Sequence, residues 1–368
     1  MEFTDLKTQY KLIKSEINNA INDVLDHGRY ILGPEVDEME QMLQKYTSSE
    51  FCISVASGTE ALLISLMSIG LEPGDEVITT PYTWVSTAEV IVLLGAIPIF
   101  ADVELSTGNL DHEKLEDLIT SKTKAIIPVS LYGQTCDMEI INDVAKKNNL
   151  IVIEDGAQSF GAEFKQNKSC NLSDIGCTSF FPSKPLGCYG DGGAIFTNDQ
   201  KIATACREIR VHGQESRHNY TRIGVGGRMD TIQCAIVKEK LKIFDQELKM
   251  RNGVAKNYTE ALGILDPNII KPLDLKDERS SAWAQYSIVV DDREKFINQF
   301  KRNEIPYAIH YPDVLYSSPA YKRYRPLKPC ISAEFLSDHI LCLPMSPYLK
   351  STDQDKIIQT LYSIAASN

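Results

Sequence analysis

The chain has 368 residues, of which 43% are apolar and 24% charged, and it carries a net charge of −12 with a pI of about 5.1. This length exceeds what one compact core usually holds, so the composition predicts a globular protein of two domains. The acidic balance argues against nucleic-acid binding and against attachment to an anionic membrane surface, although it allows a locally positive ligand site.

The nine cysteines are odd in number and form no CxxC pair. Several lie in apolar surroundings, as Cys52 does, which favours buried, reduced thiols over a disulfide framework or a zinc site. The first residues lack the basic and apolar regions of a signal peptide, and no run reaches the ~18 apolar residues that span a membrane. We therefore expect a cytoplasmic protein that does not bind a metal ion.

In chain order, the first predicted element is an amphipathic helix over residues 8–27, which ends at Gly28, and a second helix covers about 35–46. Helices then alternate with short apolar strands, predicted at 97–103, 125–131, 150–153, 178–181 and 193–197. Strands that are apolar on both faces, separated by helices such as 138–148, indicate a parallel sheet covered on both sides. The fold class is therefore α/β.

The pattern changes near residue 231. A helix rich in Lys and Glu and free of proline is predicted over 231–260, and it could connect two domains. A strand at 286–290, a helix at 293–303, a short element at 308–310 and a final helix at 352–366 follow. We predict a large domain over 1–245 and a smaller α+β domain over 246–368.

The first candidate site is the sequence Ser57-Gly58-Thr59-Glu60, which precedes an apolar helix at 61–69. Serine followed three residues later by glutamate is a capping box, so a helix is predicted to begin at Gly58–Thr59. The first backbone N–H groups of a helix lack partners and favour an anion such as phosphate, and Gly58 has no side chain to obstruct it. Taken alone, the motif is more often an ordinary helix cap.

The second candidate is Asp155, at the carboxyl end of the 150–153 strand. Ligands of α/β sheets bind at this edge. A buried carboxylate there needs a cation or a hydrogen-bond donor, and a protonated pyridine nitrogen is one such partner. The competing interpretation is an aspartate that caps the following loop.

The third candidate is Lys184, which follows the 178–181 strand between Pro182 and Pro185. A lysine in such a loop can form a Schiff base with an aldehyde cofactor, although most lysines are simply solvated. Trp84 could stack on a pyridine ring or pack in the core. In combination, the order of phosphate cap, strand-end acid and strand-end lysine matches the needs of a pyridoxal-phosphate enzyme.

Longer motifs extend this pattern over the chain from about residue 28 to the end. They are 28–34 (GRYILGP), 57–61 (SGTEA), 73–77 (PGDEV), 95–98 (GAIP), 154–162 (EDGAQSFGA) and 179–193 (SFFPSKPLGCYGDGG). With these motifs the chain resembles the DegT/DnrJ/EryC1/StrS sugar aminotransferases, a branch of the fold-type I pyridoxal-phosphate enzymes. The resemblance implies a large domain with a mostly parallel, seven-stranded type of sheet between helices, followed by a smaller α+β domain.

The resemblance also implies roles for the cofactor site. Lys184 would form the Schiff base and move the proton, and Asp155 would keep the ring nitrogen protonated. Gln158 would contact the phenolic oxygen of the ring, and Trp84 would cover one ring face. The phosphate would be held by three residues: Gly58, Thr59 and Ser179.

For the substrate, the resemblance implies a pocket lined by four residues, namely Tyr30, Arg228, His310 and Tyr311. Arg228 would reach the site of the other subunit of a homodimer with shared active sites. The sequence departs from similar enzymes at Gly226, where an asparagine is usual, and after Tyr311, where a PLH segment is usual. The first departure affects one contact with the cofactor phosphate, and the second affects the choice of substrate.

The implied reaction transfers the amino group of L-glutamate to C3 of a UDP-linked 2-acetamido-2-deoxy-3-oxo sugar, including the 3-oxo-glucuronates of surface-polysaccharide and O-antigen synthesis. A dTDP-linked 3- or 4-keto sugar is an alternative acceptor. A regulator that kept the fold is another alternative, although both Lys184 and Asp155 are present. The related dehydratases carry histidine at the lysine position, and a nicotinamide oxidoreductase would need a GxGxxG motif that the sequence lacks.

Overall fold

The computed structural model describes residues 1–367, in which helices and strands alternate from residue 34 to residue 155. The helices are α1 Leu6–Leu12, α2 Lys14–His27, α3 Pro34–Thr47, α4 Gly58–Ser68, α5 Ser86–Leu93, α6 Met138–Lys147, α7 Gln200–Ile209, α8 Thr231–Leu262, α9 Arg293–Arg302, α10 Ile331–His339 and α11 Ser351–Ala365. The strands are β1 Phe51–Val55, β2 Glu76–Thr79, β3 Ile97–Phe100, β4 Thr123–Ile127, β5 Ile151–Asp155, β6 Glu163–Phe164, β7 Asn167–Lys168, β8 Ile175–Ser179, β9 Gly193–Thr197, β10 Gln214–Ser216, β11 Asn219–Tyr220, β12 Ile270–Pro272, β13 Tyr286–Val290 and β14 Ile340–Leu343.

Seven strands form one sheet in the order β1-β9-β8-β5-β4-β2-β3. The five neighbouring strands β3, β2, β4, β5 and β8 are parallel to one another. Strand β9 runs antiparallel to both β8 and β1. One face of the sheet is covered by apolar residues of α4, α5 and α7, and another core cluster joins α2, α3 and α8. The predicted mostly parallel α/β sheet between helices is confirmed.

The topology brings the ends of β5 and β8 side by side, because Asp155 is in register with Cys177. The chain leaves β8 at Ser179, two residues further on, and enters the loop that carries Lys184. On the far side of β9, β1 leads directly into the N-terminus of α4. The three candidate motifs are therefore collected at one edge of the sheet, as the rule for open α/β sheets requires.

Four element predictions need correction. The strands predicted at 125–131 and 178–181 lie earlier in the chain, as β4 Thr123–Ile127 and β8 Ile175–Ser179. The single helix predicted over 8–27 is divided, because Ile13 leaves helical geometry with φ −118° and ψ 29° between α1 and α2. The break lets Gln9 of α1 bond with Glu247 while Ile17 of α2 packs into the core. The short element predicted at 308–310 is only an isolated bridge between Ala308 and Cys342.

Helix α8 passes between two apolar clusters. Phe244 packs with α2 and α3, whereas Val254 and Leu262 pack with β12, β13, β14, α9 and α11. The proposed domain boundary between residues 245 and 246 falls inside this helix, before the second cluster begins. All nine cysteines are free and buried, and within residues 1–367 no helix is long and apolar enough to cross a bilayer.

Candidate active site

The N-terminus of α4 forms one end of the candidate site. Ser57 caps the helix, since its Oγ accepts a hydrogen bond from the Glu60 N–H at 3.1 Å, as the capping-box motif predicts. The Thr59 hydroxyl lies 2.7 Å from the hydroxyl of Ser86, the first residue of α5. Hydroxyl groups and unpaired helix N–H groups thus occur together, which suits a phosphate.

Gly58 has a structural role that its motif did not reveal. A Cβ atom at this position would lie 2.7 Å from the Cβ of Ser179 and 3.3 Å from its Oγ. The missing side chain therefore allows α4 to pack directly against the end of β8, rather than only leaving room for a ligand. This close packing places the Ser179 hydroxyl beside the first N–H groups of the helix.

Asp155 lies at the other end of the site and is only 7% exposed. Its carboxylate accepts hydrogen bonds from the Thr87 hydroxyl at 2.8 Å and from the Ala157 N–H at 3.2 Å. Burial raises the pKa of Asp155, and these hydrogen bonds and the charge of Lys184 oppose that rise. A buried carboxylate with this little compensation favours a cationic ligand.

Lys184 is half-buried in a tight turn, in which its N–H donates to the Phe181 carbonyl oxygen at 2.9 Å. Burial lowers the pKa of its amine, and the charge of Asp155 partly opposes that effect. A lowered pKa increases the fraction of free amine at neutral pH, and the free amine is the form that attacks an aldehyde. The sequence-based pairing of Lys184 with Asp155 is thus reproduced in space.

The side chains of Gln158 and Tyr311 contact each other near Asp155. The Gln158 Oε1 accepts from the Tyr132 N–H at 2.9 Å, so its amide group is oriented, and its Nε2 donates to the Tyr311 hydroxyl at 3.2 Å. Trp84 is 59% exposed, with its ring centroid 6.4 Å from that of Tyr311. Trp84 is therefore not a core residue, and its exposed ring is free to cover a ligand.

A cluster of tyrosines holds the segment with His310 and Tyr311. The hydroxyls of Tyr82 and Tyr132 both donate to the His310 carbonyl oxygen, from Tyr82 at 3.1 Å, and lie 2.8 Å from each other. Burial and the charge of Lys184 lower the pKa of His310, which favours its neutral form. Two of the four residues of the predicted substrate pocket, His310 and Tyr311, therefore lie close to Lys184.

Tyr30 and Arg228 stand on two segments joined by the bridge between Ile31 and Asp230, with Tyr30 exposed and Arg228 half-buried. The Tyr30 carbonyl accepts from the Thr231 N–H at 3.0 Å, and Tyr30 itself is 49% exposed. The loop before Arg228 is joined to the strand that precedes α4, since the Ala56 N–H donates to the Gly227 carbonyl at 2.9 Å. These two residues remain candidates for the part of the site that a second subunit would complete.

At Gly226, where similar enzymes carry asparagine, a Cβ atom would lie 3.0 Å from the Cε1 of His212. The imidazole therefore already occupies the space beside this glycine, next to the guanidinium of Arg228. An asparagine side chain would need this ring to move.

The sequence interpretation missed Ser86, Thr87, Tyr82 and Tyr132. Ser86 and Thr87 stand at the start of α5 and connect the phosphate end to the acid end, through Thr59 and Asp155. A Ser-Thr pair following Trp84 was the only signal, and hydroxyl residues at a helix start are too common to indicate a site. The tyrosines carried no local signal.

A separate group of ionisable residues, Glu104, His112 and Asp137, has the spacing of a metal site. The position between the two carboxylates is taken by Lys276, whose Nζ lies 2.5 Å from Glu104 and 3.3 Å from Asp137. Arg279 also pairs with Asp137. The group is an ion-pair network that joins the first half of the chain to the segment after α8.

The residues of the site fit pyridoxal phosphate at three of its groups: the pyridine nitrogen, the aldehyde and the phosphate. A buried acid with a raised pKa suits the pyridine nitrogen, an amine with a lowered pKa suits the aldehyde, and a helix N-terminus with three hydroxyls beside it suits the phosphate. Together with the seven-stranded sheet, this set defines the class: a fold-type I pyridoxal-phosphate-dependent enzyme.

The chain belongs to the DegT/DnrJ/EryC1/StrS aminotransferase family, whose model matches residues 11–362. It is 49% identical to the UDP-2-acetamido-2-deoxy-3-oxo-D-glucuronate aminotransferase of Pseudomonas aeruginosa, over 97% of this chain and 98% of that one. It is 36% identical to the dTDP-3-amino-3,6-dideoxy-alpha-D-galactopyranose transaminase of Aneurinibacillus thermoaerophilus, with 98% of each chain covered.

Solved structures agree with this assignment. A family aminotransferase from Brucella abortus superposes with a TM-score of 0.96 at 41% identity, covering 99% of both chains. The protein NtdA of Bacillus subtilis, solved with bound cofactor PMP, superposes with a TM-score of 0.89 at 28% identity, covering 96% of this chain and 82% of that one. The chain is thus a sugar aminotransferase that depends on pyridoxal phosphate.

Proposed function

We propose that this chain transfers the amino group of L-glutamate to C3 of a UDP-linked 2-acetamido-2-deoxy-3-oxo sugar, with the 3-oxo-glucuronate as the leading candidate. The observation that carries the chemistry is the pairing of Lys184 and Asp155 at the ends of β8 and β5. The substrate is supported by the 49% identity to an aminotransferase of that sugar. Such a product would serve the synthesis of a surface polysaccharide, including O-antigen.

In this proposal, the cofactor supplies a ring that accepts electrons when the amino-bearing carbon loses its proton. Asp155 keeps the ring nitrogen protonated, which maintains that capacity. Lys184 takes the proton from one carbon and delivers it to the other, since its lowered pKa makes the free amine available as a base. The two halves of the reaction, amine donation and amine transfer, use the same lysine.

The other residues position and shield the reacting groups. Gln158 is oriented by the Tyr132 N–H at its Oε1 and by the Tyr311 hydroxyl at its Nε2, and its second amide N–H would bind the phenolic oxygen of the ring. Gly58, Thr59 and Ser179 hold the phosphate at the start of α4. The exposed ring of Trp84 covers the ligand from solvent, which excludes water from the proton transfer.

The substrate pocket combines two groups of residues. His310 and Tyr311 line the sugar side, near Lys184. The exposed Tyr30 and the half-buried Arg228 lie on adjoining segments, and Arg228 would act on the nucleotide sugar in the second subunit of a homodimer with shared sites. A cytoplasmic location is consistent with free, buried thiols and with a nucleotide-linked substrate.

A dTDP-linked keto sugar is the second candidate substrate, favoured by the 36% identity to a dTDP-sugar transaminase. Its keto group would accept the amino group by the same chemistry, so the residues around Lys184 do not distinguish the UDP-linked sugar from the dTDP-linked one. A non-catalytic regulator is less consistent with the site, because the buried Asp155 and the low-pKa amine of Lys184 would then serve no purpose.

The test is to mix purified enzyme with pyridoxal phosphate and L-glutamate, then with UDP- and dTDP-linked 3-keto sugars. We expect L-glutamate to bleach the visible band of the Schiff base, and the UDP-linked 3-oxo-glucuronate to restore it while an amino sugar forms. Restoration only by a dTDP-linked sugar would favour the second candidate. Failure of L-glutamate to bleach the band would contradict the proposed donor.

A further inference from the structure

Three charged side chains are buried along one face of α8, beneath the loop that carries Lys184. Lys240, Glu247 and Arg251 are 1%, 3% and 5% exposed, and their spacings of seven and four residues place them on the same side of the helix. Burying a charge is unfavourable unless it is well hydrogen-bonded. The partners of these residues therefore show what each one holds in place.

Glu247 and Arg251 connect α8 to parts of the chain away from the Lys184 loop. The Glu247 carboxylate accepts from the side-chain amide of Gln9 at 2.8 Å and from the Tyr348 hydroxyl. Arg251 donates to the Trp283 carbonyl oxygen at 2.9 Å. These contacts join the first helix and the C-terminal region to α8, so their role is to hold the fold together.

Lys240 differs, because its hydrogen-bond partner lies in the Lys184 loop itself. Its Nζ donates to the carbonyl oxygen of Gly187 and lies 4.6 Å from the centroid of the Tyr189 ring. The two lysines line the same small cavity between the loop and α8. Lys240 is thus a buried cation that contacts residues shortly after Lys184 in the chain.

The loop transmits this contact to Lys184 because it is folded tightly. A Cβ atom at Gly187 would lie only 2.6 Å from the Phe181 carbonyl oxygen, so the two ends of the turn are in direct contact. The Phe181 carbonyl also accepts the Lys184 N–H at 2.9 Å. A displacement at Gly187 would therefore move the backbone from which the Lys184 side chain extends.

We propose that Lys240 is a positioning residue for Lys184, whose ammonium group binds the Gly187 carbonyl and holds the 182–190 loop in the geometry that Schiff-base formation needs. The proposal rests on Lys184 as the cofactor lysine and is independent of the sugar and the amino donor. Burial lowers the pKa of Lys240 to about 8, and Glu247 and the Cys188 thiol partly oppose this. Asp5, Lys184 and Arg251 are the other charged groups that line the cavity. The charge on the anchor therefore changes near pH 8.

The test compares Lys240→Met, which removes the donor and the charge, with Lys240→Arg, which keeps both. Lys242→Met is the matched control, since Lys242 is an exposed neighbour on α8 that pairs with Glu239. The measurements are the pyridoxal-phosphate dissociation constant, the pH midpoint of the visible band of the Schiff base, and the melting temperature of the cofactor-free protein. A purely structural role would change only the last of these.

We expect Lys240→Met to weaken pyridoxal-phosphate binding at least about tenfold and to move the pH midpoint of the visible band by about half a unit or more, because a charge-assisted hydrogen bond is lost. Lys240→Arg should stay within about threefold of the wild type. A lower melting temperature with unchanged affinity and an unchanged midpoint would overturn the proposal, as would equal effects in Lys242→Met.

If Lys240→Met does not fold, the wild type and Lys240→Arg decide the question. The rate at which the cofactor-free protein forms the Schiff base is measured from pH 7 to about 10.5, which spans the lowered and the ordinary pKa of a lysine. We expect the wild-type rate to depart from that of the arginine variant as pH rises, because Lys240 loses its charge and Arg does not. Parallel rate profiles over this whole range would overturn the proposal. Failure of the keto-sugar assay would not affect either readout.

Discussion

Two regions of the site differ in how completely this chain builds them. The cofactor floor, which we define as Asp155, Thr87 and Gln158, is buried and hydrogen-bonded within the chain. The rim, defined as Tyr30, Trp84 and Arg228, is more accessible: Trp84 is 59% exposed, Tyr30 is 49% exposed and Arg228 is half-buried. The floor is organised before any ligand binds, whereas the accessible side chains of the rim can contact a substrate or a second subunit.

This difference assigns the chemistry of amino transfer to the floor and the recognition of the nucleotide sugar to the rim. The charge of Asp155, which must be aligned with the ring nitrogen, lies in the floor, where a low dielectric strengthens electrostatic interactions and neighbours prevent movement, and Lys184 stands beside it. Recognition of a large nucleotide sugar needs accessible surface, which the rim provides. Changes in the floor should therefore reduce the rate of both half-reactions, and changes in the rim should mainly affect the sugar.

The largest effect is expected for Lys184→Ala, which removes both the covalent link and the proton carrier. Transamination should fall at least roughly 1,000-fold, since general acid–base catalysis alone contributes up to about 10⁴-fold. Turnover and the visible spectrum measure the loss, with circular dichroism to show that the fold is retained. Activity close to that of the wild type would remove Lys184 from the mechanism.

Asp155→Asn should slow the L-glutamate half-reaction roughly 100- to 1,000-fold, because the ring nitrogen loses its anionic partner. Stopped-flow absorption measures this rate. Asp174→Asn is a matched control, since its carboxylate also bonds to β5, at the Val152 N–H, but at the opposite end of the strand. An unchanged rate in Asp155→Asn would mean that another group protonates the ring.

Thr87→Val should reduce the same rate roughly tenfold, because it removes a hydrogen bond to a charged group. The Thr87 hydroxyl lowers the pKa of Asp155, so its loss raises that pKa further. As pH falls, the variant should therefore lose activity at a higher pH than the wild type. Thr87→Ser keeps the hydroxyl and should behave like the wild type; a valine variant with an unaltered pH profile would contradict this role.

At the rim, Arg228→Ala should raise the KM for the nucleotide sugar about tenfold, which corresponds to about 1.4 kcal/mol. The L-glutamate half-reaction should change less than about twofold. Arg222→Ala is the control, because this nearby exposed arginine pairs with Glu208. Equal losses in both half-reactions would mean that Arg228 belongs with the floor, and the contrast between the two regions would fail.

The last prediction concerns stability and not activity. The pKa of Lys240 is about 8 in the folded chain and about 10.4 when unfolded, so the folded state releases this proton first and the free energy of unfolding rises between these pH values. The rise attributable to Lys240 is about 3 kcal/mol at most. Urea unfolding of the cofactor-free protein from pH 8 to 10.5 measures it, as the wild type minus Lys240→Met. An identical slope in both would contradict the lowered pKa.

Much of the architecture could be predicted from local patterns. Apolar strands and periodic helices indicated the parallel sheet, and α8 and β13 were predicted almost to their ends. The strands β1 and β2 were missed, although each is mostly buried, because short apolar runs do not distinguish a strand from a buried helix. The break at Ile13 was also missed, since it follows from contacts with distant residues and not from helix propensity.

The sequence by itself singled out the proposed reacting groups: Lys184 and Asp155 are recognisable because each stands at a strand end within a long motif. Only the tertiary structure decided how they are held. Thr87 and Asp155 are 68 residues apart, and Lys240 and Gly187 are 53 residues apart. Such contacts leave no local pattern, because a hydroxyl or a lysine becomes a positioning group only when chain packing buries it beside its partner and removes competing water.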